Sequence, residues 1–237
     1  MDLWFADFVK NRDIDGLLKR KITAENAAKF FFVAMIALQI ISALVELVAA
    51  AIGSSVYAVA FDAMNVITAG LDFGLFIIMV PLVLAIIFAL MVMYTGLQYL
   101  ASSLLGGKMD FRELFANMLY IFTSVNVVFW ALMLPFTFVA QIIQEGHLEE
   151  IASAAMDGRA IDYFASADLT ALFALSLVIF VLALMQLGLL VFLQAKAISK
   201  MAKLSFARAI VAVIAPAMVL ALGLVLIILI LGLAVGA

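Results

Sequence analysis

Hydrophobic positions in this chain do not alternate with polar ones. They run on in five long stretches: about Ala27 to Ile52, Asp72 to Leu97, Asn117 to Ile142, Leu169 to Leu193, and Ile210 to the C-terminus. Each exceeds the roughly 20 apolar residues that carry a helix across a bilayer. Each is also apolar all round, where a soluble helix keeps a polar face for water. The pattern therefore predicts an all-α, polytopic membrane protein with five transmembrane helices. Pro81, Pro135 and Pro216 fall inside these stretches. Membrane helices tolerate such prolines because neighbouring groups satisfy the freed carbonyls, so kinks rather than breaks are expected.

Composition strengthens this reading. Of 237 residues, 69% are hydrophobic and 12% charged, the latter about half the share in soluble domains. A soluble enzyme and a disordered chain are both excluded. The net charge of -3 does not suit a nucleic-acid partner. There is no cysteine, and His147 is the one histidine. Thiolate and His-rich metal sites are thus excluded, and no cofactor is expected. No nucleophile elbow, zinc-protease helix or phosphate-binding loop occurs, so no enzymatic activity is expected.

Charge sets the expected orientation. The segment leading into the first span carries six bases: Lys10, Arg12, Lys19, Arg20, Lys21 and Lys29. The first connection has none, the second has Lys108 and Arg112, the third has Arg159, and the fourth has Lys196, Lys200, Lys203 and Arg208. Alternate segments therefore hold twelve bases against one. By the positive-inside rule the N-terminus is cytoplasmic and the C-terminus lies outside. Residues 1–26 read as a cytoplasmic interfacial amphipathic helix rather than a cleaved signal. Leu3, Trp4, Phe5, Phe8 and Val9 form its greasy cluster, and Lys19-Arg20-Lys21 face anionic headgroups. Thr23 is placed to cap the first span. Residues 27–237 form the five-span membrane domain.

Polar residues within spans are the default functional candidates. Gln39, Ser42 and Glu46 share one face of the first helix, at spacings of three and four. Asn126 and Gln186 are polar positions in the third and fourth spans. Together these five form a candidate intramembrane site, each being also a candidate for interhelical bonding. Tyr94, Gln98 and Tyr99 read as anchors near the inner interface. Ala209, Ala212, Pro216 and Gly223 give the last span a smooth face, and Gly232 and Gly236 form a Gly-xxx-Gly pair. Such features suit close helix contacts, within the chain or in a homo-oligomer.

The most specific stretch is Leu105-Gly106-Gly107-Lys108-Met109-Asp110-Phe111-Arg112. Its glycines permit the positive φ of a helix-ending turn, and Asp110 with Glu113 forms a start signal for the next helix. The stretch resembles the Yip (Yip-one-like) domain family, whose prokaryotic members show Leu-Gly-Gly-Lys-Gly-Ser-Phe-Arg after a span. Met109-Asp110 stands here in place of Gly-Ser. Later, Leu119-Tyr120 stands where the family often has Gly-Tyr, and Ser124-Val125 where a proline often follows. The acidic-Leu-Tyr-Gly-Pro motif of eukaryotic members is absent. The resemblance implies five spans, a cytoplasmic N-terminus, and a non-catalytic organiser or adaptor role in trafficking or membrane shaping. It implies the plasma membrane in a prokaryote, or the Golgi or endoplasmic reticulum in a eukaryote. Protein partners would dock through residues 1–26 and the inner loops, where Gly106, Gly107, Lys108, Phe111 and Arg112 form the candidate motif. The alternative expectation is a small transporter or channel subunit working around Glu46. A possible internal repeat aligns Gly96 and Lys108 with Gly188 and Lys200.

Overall fold

A computed structural model of the chain describes residues 22–56, 63–146 and 167–235. The described residues form five helices: α1 (Ala24–Val56), α2 (Ala63–Leu104), α3 (Phe111–Gly146), α4 (Ala167–Met201) and α5 (Phe206–Val235). All five contain a segment long and apolar enough to cross a membrane. Among the described residues there is no strand. The protein is thus an all-helical integral membrane protein, as the hydrophobic pattern predicts. The expected interfacial helix falls almost wholly outside the described residues, and the connection between α3 and α4 wholly outside them.

The helices outrun the apolar stretches. α2 continues seven residues past Leu97, and α4 eight residues past Leu193. The expected loop from Lys196 to Arg208 is accordingly much shorter, because Lys196 and Lys200 belong to α4. Apolar length measures the hydrocarbon layer, whereas helix length is set by capping. Pro81, Pro135 and Pro216 all lie inside continuous helices.

Local chemistry explains several ends. At α1, the Asn26 backbone N–H donates to Thr23 Oγ1 at 3.2 Å, so Thr23 is the N-cap. At α3, Asp110 Oδ1 accepts from the N–H of Arg112 at 2.6 Å and of Glu113 at 3.4 Å. α2 closes in a Schellman motif. The N–H of Gly107 reaches the Ser102 carbonyl at 2.9 Å, and that of Gly106 reaches Ser103 at 3.0 Å. Gly106 sits at φ 91°, where a side chain would be strained. α4 closes in a related way. The Leu204 N–H donates to the Ser199 carbonyl at 3.1 Å, and Lys203 takes the left-handed position at φ 54°. The two connections therefore correspond through Gly106 with Lys203 and Ser102 with Ser199. The sequence repeat had a different register, and Gly96 and Gly188 both face open space.

The described residues divide into two compact units. One comprises residues up to Val33, Leu84–Val125 and Gly188 onward. The other comprises Ala34–Val83 and Asn126–Leu187. The first contains a core of Leu114, Met118, Ala195, Ala197, Ile198, Ala202, Ala209, Ala212 and Val213. Its alanines let backbones approach closely, which drives association where lipid is as apolar as leucine. The smooth face expected on α5 is realised at Ala209, Ala212 and Pro216, all buried. Gly223 does not share it, since a Cβ there would meet nothing within 4 Å. An aromatic run of Phe31, Phe88, Phe115, Phe111 and Tyr99 joins α1, α2 and α3 through ring contacts of 5.7–6.2 Å.

Candidate functional site

Of the five expected intramembrane residues, the structure pairs Asn126 with Gln186 and gives Ser42 a partner outside the set. Gln186 Nε2 donates to Asn126 Oδ1 at 3.0 Å, joining α4 to α3. Ser42 Oγ accepts from Trp130 Nε1 at 3.0 Å, joining α1 to α3. Both bonds lie within the second unit. Trp130 of α3 is thus a donor to one of the candidates. Gln39 is half-buried on α1. Glu46 belongs to α1, and its side chain lies outside the described residues. Bonds of this kind hold helices together, worth around 1 kcal/mol each. Among the described residues no three His, Asp or Glu side chains gather into a metal-ligating group.

The α2–α3 connection divides its motif among distinct tasks. Gly106 supplies the positive φ. Gly107 supplies a close approach, because a Cβ there would fall 2.8 Å from Ala202 Cβ, 3.0 Å from the Ser102 carbonyl oxygen and 3.2 Å from Leu204 Cδ1. Phe111 packs, stacking on Phe115 and meeting Tyr99 edge-on. Lys108 and Arg112 remain exposed. On the opposing connection Lys203 and Arg208 are exposed too. Two helix-ending turns are therefore locked against each other at Gly107, Ala202 and Leu204. Four cationic side chains project from the joined turns and the helix starts that follow them.

A second polar group, in the first unit, was not anticipated. Tyr94 OH lies 3.2 Å from Gln194 Oε1 and 3.1 Å from the Val213 carbonyl oxygen, and Gln98 Nε2 donates to Gln194 Oε1 at 3.1 Å. The network joins α2, α4 and α5. Gln98 and Tyr94, expected as interfacial anchors, bond to neighbouring helices here. Gln98 is 0% exposed and Gln194 4%. Tyr99 packs on Phe111 rather than joining them. A signal was available in the sequence: Thr95, Gln98 and Ser102 recur at spacings of three and four, the period of one helix face. Gln194 carries no comparable local signal. No protein-family model, curated protein or solved structure matches this chain.

Proposed function

We propose that the chain is a Yip-like, non-catalytic membrane organiser or adaptor, and that the joined α2–α3 and α4–α5 connections are its cytoplasmic working surface. The observation that supports this is the contact at Gly107. It makes one rigid element of two turns and leaves Lys108, Arg112, Lys203 and Arg208 exposed. A rigid cationic surface suits an acidic protein partner against the anionic leaflet. Each base near such a leaflet contributes about 1 kcal/mol of attraction. The transport alternative has less to build on. Three of its five residues, Ser42, Asn126 and Gln186, are engaged in bonds between helices.

The test compares the full chain with a Lys108→Glu/Arg112→Glu variant, both purified from native membranes. The adaptor reading expects a stoichiometric protein partner with the first and its loss from the second, with folding unchanged. Reconstituted liposomes that show a solute flux abolished by Glu46→Gln would overturn it in favour of transport.

A further inference from the structure

Along the buried face of α2, three side chains carry oxygens that no described protein group meets. Thr95 Oγ1, Gln98 Oε1 and Ser102 Oγ have no hydrogen-bond partner among the described residues, and all three residues are 0% exposed. Their spacing places them on one side of the helix. At 1.5 Å rise per residue they form a column about 10 Å long. The column adjoins a satisfied network, because the other end of the Gln98 amide donates to Gln194 Oε1 at 3.1 Å. Inside a membrane bundle a dry, unpaired oxygen forfeits its hydration with nothing in return.

We infer that this column is a binding site for ordered water. The chain's own serines and threonines supply the first argument. Thr123 returns its hydroxyl to the Leu119 carbonyl at 2.8 Å, and Ser103 returns its own to Tyr99 at 2.9 Å. This back-bonding is the ordinary way for a helical hydroxyl to be satisfied. Thr95 and Ser102 lie on the same helix as Ser103 and do not use it. Their hydroxyls are left for a partner other than the described side chains and backbone. Chemistry supplies the second argument. Gln98 Oε1 accepts only, whereas the two hydroxyls donate and accept. Water matches both kinds of group. A divalent cation takes about six or more oxygens, carboxylates among them, and this column offers three uncharged ones. The site consists of α2 oxygens beside Gln194, and buried waters elsewhere bridge polar groups in this way.

The test uses the intact, isotopically labelled chain in lipid nanodiscs. Magnetisation transfer from water to the Gln98 side-chain amide is measured by NMR. Transfer is expected in the wild type, and its loss is expected in Thr95→Val and in Ser102→Ala. Thr123→Val, whose hydroxyl already bonds the Leu119 carbonyl, should leave it intact. Absence of transfer in the wild type would overturn the inference. Thermal unfolding gives an independent reading. Thr95→Val keeps the side-chain shape, so it should lower the midpoint by a few degrees if it strands a bound water and Gln98 Oε1. An unchanged or raised midpoint would mean a dry column and would also overturn the inference.

Discussion

The two halves of α4 meet different surroundings although both are strongly apolar. From Leu193 to Ile198 the helix buries Leu193, Gln194, Ala195, Ala197 and Ile198. Earlier, it leaves Phe173, Phe180, Leu184, Met185 and Leu187 more than half exposed. The first group belongs to the unit with the joined connections, the second to the unit with the Asn126–Gln186 pair. Hydrophobicity alone does not separate them. Lipid tails are as apolar as leucine, so a large apolar side chain gains little by leaving lipid for protein. Small side chains and interhelical hydrogen bonds separate them. Ala195, Ala197, Ala202, Ala209 and Ala212 bring backbones together in the first unit, and Gln194 ties three helices. In the second unit, Phe129 is the one buried apolar side chain among those described, and two half-buried polar pairs link its helices.

The largest expected contrast comes from truncating one apolar residue in each half of α4. Ile198→Ala opens a cavity in a wholly buried site and should cost about 2–4 kcal/mol. Leu184→Ala, at a site 53% exposed, should cost under about 0.5 kcal/mol. Unfolding in denaturing detergent measures both, and equal losses would break the distinction. Gly107→Ala comes next. Its new methyl would sit 2.8 Å from Ala202 Cβ, so the two turns must part, at about 1–3 kcal/mol. A neutral Gly107→Ala would show that the turns are not locked. Smallest is the coupling within the second unit. A double-mutant cycle of Asn126→Leu and Gln186→Leu should give about 0.5–1.5 kcal/mol. A coupling near zero would remove that bond as a tie between α3 and α4.

The five spans were legible because apolar length is written continuously along the chain. The caps at Thr23 and Asp110 were legible because capping is local chemistry between residues two or three apart. The turn at Gly106-Gly107 was legible for the same reason, although the separate duty of Gly107 was not. That duty depends on Ala202 and Leu204, nearly a hundred residues away. The bond of Gln98 was not legible because the apolar stretch ends at Leu97, while the helix runs on to Leu104 and buries Gln98 against Gln194. Gln194 was missed because a single polar residue near the end of a span looks the same whether it faces headgroups or a neighbouring helix. The pairing of Ser42 with Trp130 and of Asn126 with Gln186 is likewise a matter of which helices adjoin.

The central claim is that the two connections form one surface, and the absence of native cysteine allows it to be tested directly. Single cysteines at Lys108 and Lys203, both exposed, would be labelled with a membrane-impermeant maleimide in intact cells and in inverted membrane vesicles. The account predicts that both react in inverted vesicles and neither reacts in intact cells. Labelling of the two positions from opposite sides of the membrane would contradict it.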